Sequence, residues 1–397
     1  MRIALIGTRG VPARYGGFET AVEEVGSRLA ARGHRVTVYC RGDDRRPEYL
    51  GMRRVVLPAV QSRTAETLSH TALSLVHLLT HRADAAIVFN AANAPLLPLV
   101  RAARVPVAVH VDGLEWRRGK WGPTGRRFYL FGERCAVRWA DALIADAVGI
   151  QDYYRRTYDA DTDYLAYGAT VLDDPALHRL AELDLAPQGY HLVVARLEPE
   201  NHVDVVLRGY LASAARKPLV VVGSVPYASE HADEVQRLAA DPRVRLLGGV
   251  WDQELLDALY AGAACYLHGH SVGGTNPSLL RAMGAAAPVV AYDVDFNREV
   301  LADAGAYFAD EGQVAKAVEQ VEAAPDEAVA RGAAGRAAAA ARYRWDDVAE
   351  GYERLCARLA APGGRRAPGP RTVRLRTLGR RALGRLAPGR RASGRRA

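Results

Sequence analysis

Between His268 and Tyr292 the chain reads HGHSVGGTNPSLLRAMGAAAPVVAY, a stretch dense in residue types that hold an anion. Gly273, Gly274, Thr275 and Asn276 make a flexible polar turn, and Pro277 suits a first helical position. Leu279, Leu280, Ala282 and Met283 then continue as a buried helix. The unpaired amides at such a helix start, with the positive end of its dipole, form a ready seat for a diphosphate. Gly16 and Gly17 follow the strand-like run MRIALIG, where a glycine turn lets backbone amides approach a ligand just before a helix begins. Arg196, in ARLEPENHVDVVLRGY, closes another strand and with Asn201 flanks a strand-to-helix turn facing a cleft. An always-charged guanidinium there can grip a diphosphate bidentately.

A fourth segment, VDGLEWRRGKWG from Val111 to Gly122, follows the strand PVAVH and places Asp112 at a strand's carboxyl end, where open α/β sheets bind ligands. Its Trp116, Trp121, Arg117, Arg118 and Lys120 suit a sugar, a phosphate or a lipid headgroup. His110, inside the strand, reads as a core histidine. His268 and His270 stand two apart without a third ligand nearby, and the four cysteines form no CxxC pair, so no metal site is expected.

The elements that carry these residues alternate. Strand, glycine turn, helix and strand follow one another over the first forty residues, with Val22, Val25 and Leu29 at helical spacing and Gly33 as the stop. Further strand-like runs fall at 54–57, 85–89, 105–110 and 142–146. After a break near 167–184 the alternation restarts at 191–196, 218–223, 244–247, 264–268 and 288–292. The pattern predicts two Rossmann-like, doubly wound parallel-sheet domains, at 1–175 and 185–343, facing a cleft. Trp345, Val348, Tyr352 and Leu355 predict an amphipathic closing helix over 344–360. The Gly16–Gly17 pair does not follow GxGxxG spacing and the loop from Gly7 to Gly17 is longer than that fingerprint, which disfavours a nicotinamide-dependent Rossmann enzyme.

A length of 397 residues suits two domains, and 49% hydrophobic with 25% charged residues is the composition of a folded globular chain. No run approaches eighteen consecutive apolar residues and the N-terminus lacks a secretory pattern, so a cytoplasmic protein is expected. Twelve of the 53 lysines and arginines, and none of the 45 acidic residues, lie in Ala361–Ala397. Residues 1–360 therefore carry a formal charge of about −4, and the body of the chain is not expected to bind nucleic acid. The Arg-rich tail, rich in Pro and Gly, is expected to be mostly disordered. Leu375, Leu378, Ala382 and Leu386 share one helical face in it, which suits a peripheral contact with an anionic membrane.

GTRGVPARYGGFET, DGLEWRRGKWG, ARLEPEN and GHSVGGTNPSLL, spread from residue 7 to residue 280, closely resemble the hallmark runs of the retaining glycosyltransferases of family 4. The nearer resemblance is to a bacterial polysaccharide branch that includes rhamnosyltransferases. That resemblance implies the GT-B architecture and transfer from a nucleotide sugar to a glycan or polyprenyl-linked acceptor without a metal or other cofactor. It also implies that Gly16 and Gly17 contact acceptor or donor phosphate, Arg196 the diphosphate, and the Gly273–Asn276 amides the phosphate and sugar.

Departures from the family pattern are specific. Asn201 stands where most members have a lysine, Gly273 and Arg281 where most have two glutamates eight apart, and Asp112 where a histidine is common. One donor would suit these changes: a deoxythymidine diphosphate 6-deoxysugar such as dTDP-rhamnose, which lacks the ribose 2′-hydroxyl that the second glutamate would bond and the sugar 6-hydroxyl that the histidine would bond. Each absent hydroxyl removes the need for a buried polar partner, at about 1–3 kcal/mol. Arg281 would then supply the cation lost at position 201, and Asp112 would serve as acceptor-side base or hydroxyl-positioning group. The loss of both glutamates also admits a second reading, a catalytically degenerate GT-B binding or scaffolding subunit.

Overall fold

A computed structural model describes residues 1–13, 16–62, 65–111, 113–224 and 230–363. The apolar runs become two sheets. The first holds β1 (Arg2–Ile6), β2 (Arg35–Cys40), β3 (Glu48–Tyr49), β4 (Met52–Val56), β5 (Ala85–Phe89), β6 (Val107–His110), β7 (Ala142–Ala145) and β8 (Asp163–Tyr164), in the order β3-β4-β2-β1-β5-β6-β7-β8. Among the described residues its strands pair in parallel except for β3 and β4, which are antiparallel. The second holds β9 (His191–Val194), β10 (Leu219–Val222), β11 (Val244–Gly248), β12 (Cys265–His268), β13 (Val289–Tyr292) and β14 (Ala306–Phe308), all parallel, in the order β11-β10-β9-β12-β13-β14.

Parallel strands covered by helices on both faces must be apolar on both sides, and β5 and β10 are buried at every residue. The expected α/β architecture of two doubly wound sheets is therefore met. Strands predicted from apolar runs fall within a residue or two of their expected bounds. The short β3, β8 and β14 were not expected, because two- and three-residue strands carry no periodicity.

Strand order sets where a ligand belongs. In the first sheet the chain winds outward from β1 through β2 to β4, then returns to β5 on the other side of β1. In the second it winds from β9 through β10 to β11, then returns to β12. Each reversal opens a crevice at the carboxyl ends of the strands, one between β1 and β5 and one between β9 and β12. The loops after β1, β9 and β12 carry Gly16 and Gly17, Arg196 with Asn201, and Gly273–Asn276.

The helix Trp345–Ala360 returns to the first sheet and buries Trp345, Ala349, Tyr352, Leu355, Cys356 and Leu359. It meets the helix Gly17–Ala31, where Arg28 pairs with Asp346 at 3.1 Å and Arg32 and His34 pair with Glu353 at 2.9 and 2.7 Å. Two carboxylates in its first turn suit its dipole. Among the described residues no helix is long and apolar enough to cross a membrane. The Arg-rich tail lies, from residue 364 onward, outside the described residues.

Candidate active site

The two crevices face each other across one cleft of about 810 Å³. Two helices begin on it from opposite sides. Gly17 starts the first, and a β-carbon there would stand 3.1 Å from Pro277 Cγ at the start of the helix Pro277–Gly284. Gly16 has φ +102°, a backbone that a side chain would strain. The glycine pair thus brings one helix N-terminus close to the other, and their dipoles converge on the cleft.

The turn Gly273–Asn276 is gripped by both domains. Asn276 caps its own helix, its side-chain oxygen accepting from Ser278 N at 2.9 Å. The Thr275 hydroxyl donates to the backbone carbonyl of Asp146, at the end of β7 in the other domain. Gly274 packs on the Asp146 carboxyl, and Gly273, at φ +139°, lies against Gly113. The side chains of Thr275 and Asn276 thus fix the turn, and the backbone amides, the groups expected to meet the donor, are its means of holding an anion.

Arg196 and Asn201 both line the cleft, with different roles. Arg196 is about one-third exposed, and its Nη2 lies 3.4 Å from Glu198 Oε2. Asn201 is buried: its amide donates to the Arg196 carbonyl at 2.7 Å, and its oxygen meets His270 Nδ1 at 2.7 Å. It braces the arginine loop against the residues leading into the glycine turn rather than presenting a free donor group. Burial first, then the positive field of Arg118, His268 and Arg196, holds the His270 imidazole neutral, with its pKa well below the usual histidine value.

Arg281 also departs from expectation. It borders the cleft, but its Nε pairs with Asp257 at 2.7 Å, its Nη1 and Nη2 donate to the side chain and backbone of Gln253 at 2.7 and 2.9 Å, and it lies over the Tyr260 ring. Its charge is spent on the neighbouring helix, so it does not replace a cation at position 201.

Asp112 lies outside the described residues. His110 sits among Phe18, Phe89 and Tyr167, and burial pushes its pKa down to about 3, the state of a core histidine. Trp116 packs against Tyr153, and Trp121 against Tyr129 with Lys120 over its ring, so both tryptophans anchor their loop outside the cleft lining. Glu133, beneath that loop, accepts from Tyr153 and Tyr158 at 2.9 and 2.6 Å, and burial raises its carboxyl pKa to about 7.

Two features escaped the sequence. Asp146 holds the glycine turn from across the cleft, and its only signal was an acidic residue at a strand's carboxyl end. The second is a set of charges shared by the two domains. Arg118 pairs with Glu115 in its own loop, and its Nη1 lies 3.5 Å from Glu200 and 3.9 Å from Glu198. Lys120 joins at 3.2 Å from Glu115. Burial raises the Glu200 pKa; the same burial acts on Glu115 but is outweighed by Arg118 and Lys120, leaving that carboxyl low. Among the described residues no three His, Cys, Asp or Glu side chains converge as a metal-ligand set.

On the wall formed by the first domain, Glu19 and Glu23 of the helix Gly17–Ala31 border the cleft. They accept from Arg9 N at 3.0 Å and Ala13 N at 2.6 Å, fixing the loop after β1. The cleft is thus lined by two helix starts, by Arg196 and Arg118, and by the carboxylates of Glu19 and Glu23.

Residues 16–168 match the family model described as Glycosyl transferase 4-like domain, and residues 189–323 that described as Glycosyl transferases group 1. Alpha-maltose-1-phosphate synthase of Mycolicibacterium smegmatis is 28% identical over 386 residues, covering 88% of this chain and 97% of the relative. O-antigen chain mannosyltransferase B of Escherichia coli is 30% identical over 131 residues, 32% of this chain and 34% of the relative. Among solved structures, sucrose-phosphate synthase from Thermosynechococcus elongatus superposes with a TM-score of 0.79 at 21% identity, covering 90% of this chain and 98% of its own. Anabaena HepE, solved in complex with UDP-glucose, superposes with a TM-score of 0.74 at 16% identity, covering 90% and 100%.

Proposed function

We propose that this chain, a glycosyltransferase of the family 4, GT-B type, moves a sugar from a nucleoside diphosphate sugar to a polysaccharide or lipid-linked acceptor, with retention of configuration and without a metal. The observation that carries this reading is the meeting, in one cleft, of the helix start at Pro277, the Gly273–Asn276 turn and Arg196, all at the crevice of the second sheet. Such a place favours two phosphates and stabilises the charge that grows on them as the glycosidic bond breaks. The acceptor enters from the Glu19 and Glu23 side, attacks on the face the diphosphate leaves, and needs no covalent nucleophile. Arg196 is the residue we assign to the leaving diphosphate; Gly16 and Gly17 bring the opposing helix start to bear, and Asp112 is assigned to the acceptor side.

For the donor we propose a deoxythymidine diphosphate 6-deoxysugar such as dTDP-rhamnose. What supports this is position 281, where an arginine tied to Asp257 offers no carboxylate to a pair of ribose hydroxyls. Calorimetric titration with dTDP, UDP and GDP tests it. The expected order has dTDP tightest; UDP binding more tightly would refute the deoxyribose argument, and binding of none would favour a catalytically degenerate binding subunit. A contact with anionic membrane through the Arg-rich tail is part of the same proposal, supported by twelve arginines and no acid in 361–397.

A further inference from the structure

The loop that carries Arg196 also carries Glu198, and Glu198 Oε2 is shared. Arg196 Nη2 approaches it at 3.4 Å from the second domain, and Arg118 Nη1 at 3.9 Å from the first. Both guanidiniums border the same cleft. An oxygen approached by guanidiniums from two domains marks where an anionic oxygen is stabilised by both. Neither approach is a formed hydrogen bond, and the buried Glu198 Oε2 has no hydrogen-bond partner among the described residues. Glu198 Oε2 therefore stands between the two guanidiniums without a hydrogen bond to either.

We infer that Arg118 is a second guanidinium for the donor diphosphate, and that Glu198 is the internal anion the diphosphate displaces from between Arg118 and Arg196. This rests on the proposed donor reading and deepens it. A diphosphate carries more charge than one carboxylate and presents several oxygens in the fork geometry that guanidinium prefers, so it outcompetes Glu198. Because the two arginines belong to different domains, binding the diphosphate also ties the domains together. Glu115 holds Arg118 within its own loop by direct contact, and Glu200 stands 3.5 Å from it.

The test compares, in the full chain, the tightest-binding nucleoside diphosphate among dTDP, UDP and GDP with its own monophosphate. Arg118→Gln is expected to weaken the diphosphate roughly 10- to 100-fold and the monophosphate less than about threefold, so their ratio collapses. Arg118→Lys, which keeps the charge and the pairing with Glu115 but loses the fork, should fall between, and it covers the case in which the glutamine variant folds poorly. Glu198→Gln should tighten the diphosphate about 3- to 10-fold. An unchanged ratio in both Arg118 variants overturns the assignment of Arg118 while leaving the donor site intact. Weaker binding in Glu198→Gln overturns the displaced-anion role. No diphosphate binding by the wild type overturns the donor reading itself.

Discussion

Gly113 and Gly273 meet backbone to backbone across the cleft, and a single methyl group tests whether that meeting matters. A β-carbon on Gly113 would stand 2.8 Å from the Gly273 carbonyl carbon and 3.1 Å from Gly274 N, and closer still to Gly273 Cα. Real β-carbons do not approach backbone so closely, and no flexible side chain is there to yield. Gly113→Ala therefore forces the glycine turn away from the first domain, or the domains apart. Overpacking of this kind costs about 1–3 kcal/mol. Charged to formation of the closed site, that is a fall in donor kcat/KM of roughly 5- to 150-fold. The same strain acts on stability, so Tm should fall as well, by about 2–4 °C for each kcal/mol. Gly122→Ala, in the same segment with open space around it, is the matched control and should leave kcat/KM unchanged. Nucleotide release from the preferred sugar nucleotide is the assay, with melting followed in parallel. Wild-type turnover in Gly113→Ala would refute the claim that the turn must touch the first domain during catalysis.

Three further outcomes are expected. Glu133 has a folded pKa of about 7 against an ordinary 4.5, so it favours the folded state fully below about pH 4.5 and loses that advantage as pH rises through 7. The whole effect is about 3 kcal/mol; Glu133→Gln should flatten the decline of Tm between pH 5 and 8, and an unaltered profile would refute the assignment. Arg281→Glu alone would set two carboxylates together, so the informative variant is Arg281→Glu with Asp257→Asn. It should gain UDP affinity relative to dTDP about tenfold by calorimetry, and no gain would count against the ribose explanation. Deleting residues 362–397 should abolish sedimentation with anionic phosphatidylglycerol vesicles while leaving nucleotide binding intact, and unchanged sedimentation would remove the tail from the account.

The fold was legible because parallel strands buried on both faces must be written as continuous apolar runs, and β1, β5, β10 and β13 are. Arg196 and the Gly273–Asn276 turn were legible for a related reason: ligand loops follow strand ends at the reversals of strand order. What each side chain does there was less legible. Asn201 looks like a ligand group in sequence, yet its amide is claimed by the Arg196 carbonyl and its oxygen by His270. Arg281 finds Asp257 on a separate helix 24 residues away, and Arg118 finds Glu200 across the cleft, pairings that no local spacing records.

Release of nucleoside diphosphate from a panel of dTDP-, UDP- and GDP-sugars, measured with and without a chelator, tests the central claim most directly. The account predicts that one class of donor is turned over at the same rate in both conditions, and that Arg196→Ala lowers that rate by about 100-fold or more. Turnover that vanishes with the chelator, or that survives undiminished in Arg196→Ala, would contradict it.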